Sequence, residues 1–297
     1  MHERILLSPA KLNLSLGLRG RRADGFHLIE SILVPVSLFD RLEVAFEIGS
    51  QDEIQVICDA PQAPSGSSNL IFRAADIVRR RTAQPFSLTV RLQKQIPVGS
   101  GLGGGSSNAA TVLGFLNSLL GWPFDRPTLA AIGLEVGADV PFFIYGQPAV
   151  VRGVGEVVIP VASARLSQAL VVCWDGSQLS TAAVYNRADQ LCDSRRDPSL
   201  TTKCPESNIA DFVDGHRPLA ELLANDLEEA AAQICTEVRH LKGELLSLGV
   251  QGASMTGSGS AVFGVCPNAE SAERIAVILR RKGLWACSVK TLTRSSW

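Results

Sequence analysis

Between Lys11 and Leu18 the chain alternates without a break. Leu12, Leu14, Leu16 and Leu18 fall on one side, and Lys11, Asn13, Ser15 and Gly17 on the other. A period of two is the mark of a β-strand with one apolar face. Further strand-like runs follow at Ile32–Val36, Arg41–Phe46, Glu53–Cys58 and Ser87–Leu92. Asn69 stands in capping position before a helical pattern that reaches about Arg81. From Ser106 to Leu120 the residues Ala109, Val112, Leu113, Leu116 and Leu120 share one side at helical spacing, and Gly121 supplies the stop. Another helix is predicted from Pro127 to about Val136. Asp139 then precedes the apolar run Val140–Ile144, which reads as chain entering the core. Asp139 is thus expected as a carboxylate entering an apolar site, where it must be paired or be heavily desolvated, with Lys11 its natural partner.

Past about residue 165 the rhythm changes, which divides the chain into expected domains of residues 1–164 and 165–297. Ala169–Trp174 is a short apolar strand, and helical patterns follow at Thr181–Leu191 and Pro218–Leu248. Gly252–Met255 and Ala261–Cys266 read as strands joined by a tight Gly/Ser turn, Ala269–Lys282 as a helix stopped by Gly283, and Ala286–Leu292 as a final strand. The order β-α-β-β-α-β is the ferredoxin-like pattern. Asp193–Arg217, rich in Pro, Asp and Ser, reads as a surface loop.

Composition narrows the class. The chain has 297 residues, 46% hydrophobic and 19% charged, with 28 Lys plus Arg against 29 Asp plus Glu. That balance offers no electrostatic footprint for nucleic acid or an anionic membrane. No apolar stretch reaches the roughly 20 residues of a membrane span, and the short run Ile5–Leu7 ends at Ser8-Pro9 without the shape of a secretory leader. Seven cysteines (58, 173, 192, 204, 235, 266 and 287), odd in number and without C-x-x-C spacing, are expected as reduced thiols of a cytoplasmic protein. No obligatory protein partner is evident.

The outstanding segment is Pro97-Val-Gly-Ser-Gly-Leu-Gly-Gly-Gly-Ser-Ser-Asn-Ala-Ala110, which follows a strand and opens a helix. Glycines let successive backbone N–H groups approach an oxyanion, and a helix N-terminus adds partial positive charge. Ser106 and Ser107 can cap the helix, donate to phosphate, or help hold Mg²⁺. A P-loop would need a Gly-Lys pair, and the chain contains none. Gly99, Gly101 and Gly104 formally satisfy G-x-G-x-x-G, but Asp125, at the distance of the ribose-binding acid, sits in a Pro-rich turn instead of at a strand end. The protein-kinase signatures H-R-D and D-F-G are absent.

Four motifs in order, Ser8-Pro-Ala-Lys-Leu-Asn-Leu14, Ala23-Asp-Gly-Phe-His27, the glycine loop with Gly137-Ala-Asp-Val-Pro141, and Thr256-Gly-Ser-Gly-Ser-Ala261, resemble those of the GHMP kinases. Within them the P-A-K-L-N and G-L-G-G-G-S-S-N-A-A strings resemble the branch acting on a CDP-linked methylerythritol. The resemblance implies an α+β fold of two domains, the first mixed α/β and the second ferredoxin-like. It implies ATP-dependent phosphorylation of the acceptor's 2-hydroxyl, with Mg²⁺ carried by ATP; the alternatives are another small alcohol such as homoserine, or a non-catalytic sensor of the same fold.

Residue by residue, it implies Asp139 as base and Lys11 as its electrostatic partner. ATP falls to Pro97, Val98, Gly99, Ser100, Gly101, Leu102, Gly103, Gly104, Gly105, Ser106 and Ser107, to Asn69 and Lys94 near the adenine, and to Gly257, Ser258 and Gly259. The acceptor falls to Asn13, Phe26, His27, Thr181 and Tyr185, with His27 hydrogen-bonding the cytosine between aromatic rings. The chain departs from the pattern at Phe26, usually Tyr, at Leu33, where a stacking aromatic is common, and at Cys173-Trp-Asp-Gly176, which replaces His-Pro-Gly.

Overall fold

The alternating leucines do form a strand, and a longer one than their pattern marks. In the computed structural model, which describes residues 2–49, 52–161, 168–195 and 218–293, β1 runs His2–Arg21 and pairs antiparallel with β2, His27–Ile48. The runs Ile32–Val36 and Arg41–Phe46 are therefore one strand. Its register slips where Pro9 faces Phe39 and Ala10 faces Val36, leaving Ser37 and Leu38 with no counterpart on β1. The buried positions keep the period of two from Val36 to Phe46, but one of them is the charged Asp40, which interrupts the apolar run, so one strand reads as two.

β2 is long enough to serve two neighbours. Its second half pairs with β4 (Phe86–Gln93), which carries β3 (Ile54–Cys58) in parallel. Its first half pairs with β5 (Ala149–Gly153), which carries β6 (Val157–Pro160). Neither β5 nor β6 was predicted from the sequence. Four helices pack on this sheet: α1 (Leu70–Thr82), α2 (Gly104–Leu119), α3 (Arg126–Val136) and α4 (Val140–Tyr145). Their shared core includes Phe46, Phe86, Leu113, Leu116 and Phe142. Val140–Ile144 does enter that core, as the helix α4 with Pro141 in its first turn, where its missing N–H costs nothing. Asn69 and Asp125 cap α1 and α3 by accepting from Ile71 N and Thr128 N, each at 2.9 Å.

The second sheet has the order β11-β7-β10-β9, with β7 at Ala169–Trp174, β9 at Gly252–Met255, β10 at Val262–Cys266 and β11 at Trp285–Lys290. All its pairs are antiparallel. This is the strand order of the ferredoxin-like pattern. Helix α5 runs Thr181–Arg195, so it extends into the segment expected as a loop; residues 196–217, and the expected boundary near 165, lie outside the described residues.

The helical pattern expected at Pro218–Leu248 is broken. It comprises a 3-10 turn at Leu219–Glu221, a two-residue strand β8 (Ala224–Asn225), α6 (Glu228–Ile234) and α7 (Glu237–Ser247), with α8 following at Ala269–Arg281. Tertiary pairing overrides local pattern here. β8 returns to the first sheet and lies parallel to β1 beside Ser15 and Leu16, while Asp226 Oδ2 accepts from Leu18 N at 2.8 Å. Among the described residues the cysteines are free thiols, Cys173 and Cys266 buried and the others partly so.

The two sheets meet over a common apolar layer. Leu12, Leu14, Ile32 and Val34 of the first pack with Leu170, Val172, Phe263 and Val265 of the second. The leucine face of β1 is thus a seam, which leaves the polar face of β1 to line what lies beside it.

Candidate active site

Lys11, Asn13 and Ser15, the polar face of β1, are all buried. The Lys11 N–H donates to Leu102 O at 3.0 Å, which ties β1 to the glycine loop. Its Nζ donates to Asn13 Oδ1 at 2.5 Å. Asn13 is held in turn: Nδ2 donates to Ser31 Oγ at 2.8 Å, Oδ1 accepts from Thr256 Oγ1 at 3.3 Å, and its N–H donates to the same hydroxyl at 3.1 Å. Asn13 therefore orients Lys11 while itself lining the cleft.

Asp139 holds the capping position of α4, yet its side chain makes no capping bond. Its Oδ2 lies 3.8 Å from Lys11 Nζ, and its side chain is 40% exposed against 3% for Lys11. The sequence suggested a carboxylate entering an apolar site. Asp139 instead opens to the cleft, and it is the lysine that is desolvated. Burial lowers the Lys11 pKa below the ordinary 10.5, and Asp139 offsets part of that shift.

Two glycine loops converge on this pair. Gly99, Gly101 and Gly103 hold φ of +73°, +83° and +73°, a region L-residues avoid. A Cβ on Gly101 would stand 2.4 Å from Thr256 O, and one on Gly103 would stand 2.9 Å from Lys11 Cγ. Gly104 opens the 16-residue helix α2. The second loop, Thr256–Ala261, joins β9 to β10, and a Cβ on Gly257 would come within 3.0 Å of Lys11 Nζ. Asn225 of β8 holds that loop by donating to Met255 O and Gly257 O at 2.8 and 2.9 Å. Ala261 N donates to Ser100 O at 3.1 Å, joining loop to loop.

A cleft of about 910 Å³ is lined by every residue that the resemblance assigns to catalysis, ATP or the acceptor, except Ser107. Ser107 is buried behind the loop and accepts from Ser8 Oγ at 2.7 Å, so of the two adjacent serines only Ser106 lines the cleft. Ser100 and Leu102 contribute backbone, since the Ser100 hydroxyl donates to Pro97 O at 2.7 Å and the Leu102 side chain is core. Asn69 is spent on its cap and on Pro64 O. Lys94 forms an ion pair with the buried Asp40 and lies against Gly104.

At the other end of the cleft Tyr185 packs on His27 with ring centroids 4.7 Å apart. Burial, and then the charge of Asp139, pushes the Tyr185 hydroxyl up to about 12, so it remains protonated. Phe26 is 62% exposed, and the Arg22 guanidinium stands 5.7 Å from its ring centroid. Thr181 Oγ1 meets Ser258 Oγ at 3.0 Å. Leu33 belongs to the core and does not reach the cleft; Trp174 sits beneath the second loop and donates to Ser260 Oγ at 2.9 Å.

Sequence reasoning missed Asp189, whose Oδ1 meets His27 Nε2 at 2.7 Å, and Arg21, 3.5 Å from its Oδ2. The spacing Thr181, Tyr185, Asp189 puts all three on one helix face and was the available signal. Asn225 and Ser31 gave none, for their roles depend on chain pairing.

The arrangement couples an exposed carboxylate and a buried ammonium to two backbone cradles suited to oxyanions, with a ring-lined recess beside them. Residues 69–147 match the family described as GHMP kinases N terminal domain, and residues 209–283 match GHMP kinases C terminal. The chain is 36% identical over 288 residues to a 4-diphosphocytidyl-2-C-methyl-D-erythritol kinase of Citrifermentans bemidjiense, covering 97% of this chain and 98% of that one. A crystal structure of 4-(cytidine 5'-diphospho)-2C-methyl-D-erythritol kinase superposes with a TM-score of 0.77 at 35% identity, over 98% of this chain and 99% of the other. A homoserine kinase from Cytophaga hutchinsonii superposes at 0.74 with 16% identity, over 99% and 96%, a likeness of fold alone.

Proposed function

Because this chain belongs to the GHMP kinases, and within them to the 4-diphosphocytidyl-2-C-methyl-D-erythritol kinases, we propose that its cleft carries out the family reaction with Asp139 and Lys11 as the groups at the reacting atoms. The chain is a small-molecule kinase of the non-mevalonate isoprenoid pathway, and ATP is its phosphoryl donor. The observation that carries the reading is the Lys11–Asp139 pair at 3.8 Å where the two glycine loops meet.

Asp139 takes the proton of the acceptor 2-hydroxyl as that oxygen forms its bond to the γ-phosphorus, and ADP leaves with the electrons of the broken P–O bond. General-base help of this kind contributes typically ~10²–10⁴-fold. Lys11 faces the transferred oxygens. Being buried, it has little water to give up and its field is little screened, so its charge acts on the phosphoryl group at close range. Asn13 and Thr256 hold the ammonium in place. The loop N–H groups from Gly101 to Ser106 and the α2 N-terminus receive the phosphates.

Among the described residues no three His, Cys, Asp or Glu side chains gather to hold a metal. Mg²⁺ would arrive on the phosphates of ATP, since this ion keeps several waters and takes only one or two protein oxygens. Ser106, which lines the cleft, would offer its hydroxyl to complete the ion's shell, and the ion would neutralise charge on the phosphates. His27, Tyr185 and Phe26 would receive the cytosine. A transfer assay offering ATP with CDP-methylerythritol, homoserine and mevalonate tests the assignment: turnover should be confined to the first. Turnover with another alcohol would move the chain to a different branch, and none with any would make it a sensor.

A further inference from the structure

We propose that Asp189 is a positioning residue which sets the tautomer of His27 and thereby makes the base recess select an exocyclic amino group over a carbonyl. The inference rests on the reading of His27 as the group that meets the acceptor's base.

The geometry is local and complete. Thr181, Tyr185 and Asp189 lie at intervals of four along α5, so one helix face delivers three contacts in a row. Thr181 reaches Ser258, Tyr185 covers the His27 ring at 4.7 Å, and Asp189 Oδ1 lies 2.7 Å from His27 Nε2. Asp189 Oδ2 lies 3.5 Å from Arg21 Nη1, so both carboxylate oxygens already have cationic or N–H partners. An ionised carboxylate only accepts hydrogen bonds. Nε2 must therefore carry the proton, and in a neutral imidazole the other nitrogen, Nδ1, is then an acceptor. Among the described residues Nδ1 has no partner, while the ring lines the cleft.

An accepting nitrogen complements a donor. Cytosine presents an amino group at C4, where uracil presents a carbonyl. With Nε2–H fixed, a uracil ring would set two acceptors against each other in a partly buried recess. Sites that hydrogen-bond one substrate group reject its counterpart strongly for this reason. Rotating the ring or moving its proton would relieve the clash, and Asp189 opposes both. The stacking of Tyr185 is blind to base identity, since every base has a π-face. Discrimination is thus assigned to the Asp189–His27 pair and binding strength to the rings.

Two measurements test this in the full-length protein. The first uses no substrate: ¹⁵N–¹H correlation of the His27 ring in alkaline buffer, where an ordinary imidazole is neutral. The wild type should show Nε2 protonated and Nδ1 as the bare nitrogen. Asp189→Ala should show a mixture, and Asp189→Asn, whose carbonyl oxygen still accepts, should recover most of the wild-type state. The second compares CDP- and UDP-linked acceptors. Asp189→Ala should cut the preference for CDP by tenfold or more, the size of one hydrogen bond to a charged group, through KM with kcat little changed, and Asp189→Asn should restore most of it. A wild-type tautomer with Nδ1 protonated, or an Asp189→Ala protein that keeps the full CDP preference, overturns the proposal. A wild type that fails to prefer CDP overturns the cytidine reading itself, and the ring spectrum distinguishes that failure from the other.

Discussion

Gly101 offers the sharpest test of whether the two glycine loops form one backbone surface. Its φ of +83° costs an L-residue roughly 1–2 kcal/mol. In addition, a Cβ there would stand 2.4 Å from Thr256 O and 3.1 Å from Gly259 O. Both are main-chain atoms, and the loops are pinned by the bonds from Ala261 N to Ser100 O and from Asn225 to Gly257 O. Nothing flexible can swing aside, so overpacking adds about 1–3 kcal/mol. Gly101→Ala should therefore lose about 2–5 kcal/mol in urea unfolding and bind ADP more weakly in a calorimetric titration.

Gly105→Ala is its counterpart. The nearest atom to its Cβ is Leu70 Cδ1 at 3.5 Å, and the position lies in the first turn of α2, where alanine favours the helix by up to about 1 kcal/mol. That variant should melt no lower than wild type while binding ADP less well, because its methyl intrudes where phosphate meets backbone. A Gly101→Ala protein that unfolds and binds as wild type does would refute the contact between the loops.

Asp139→Asn should abolish phosphoryl transfer, at least ~10²-fold in kcat, while ATP affinity by titration changes little; more than a tenth of wild-type kcat would remove Asp139 from the base role. In the proposed mechanism Lys11 acts when charged, so activity should be lost as pH rises through its pKa. Burial sets that pKa below 10.5, and the alkaline limb of the kcat/KM profile should lie below the ordinary lysine value. Removing the Asp139 charge takes away the opposing influence, so in single-turnover measurements the residual activity of Asp139→Asn should fall off at lower pH still. Lys94→Met strands the fully buried Asp40 and should cost about 3–5 kcal/mol in urea unfolding; a loss under about 1 kcal/mol would show that the pair is not structural.

The extent to which the sequence foretold this arrangement follows from the range of each interaction. Caps are local, so Asn69 and the helix after it could be read directly. The glycine loop could be read because its composition has few other uses. Lys11 and Asp139, far apart in the chain, were joined by charge and resemblance, and the sequence alone ascribed the desolvation to the wrong partner. Ser107 was misplaced because a helix turns its side chains through 100° per residue and only one of two adjacent serines can face the cleft. Asn225 and β8 lay inside a stretch with helical periodicity, where a two-residue strand leaves no pattern. Asp189 needed only the step of four from Tyr185, but a charge on an outward helix face is ordinarily solvated.

The apolar seam between the sheets has a consequence for how the protein is made. Leu12 and Leu14 are covered by Phe263 and Val265, and Lys11 is fixed through Asn13 by Thr256. A ribosome adding about 5–20 residues per second needs on the order of tens of seconds to pass from the first of these to the last. Throughout that interval the nascent chain exposes a leucine-rich strand face, an invitation to chaperones or to aggregation. Catalytic competence cannot accumulate by stages during synthesis. It arrives with β9 and β10, so a truncation that removes them would leave the first-made residues of the site in the chain and none of their function.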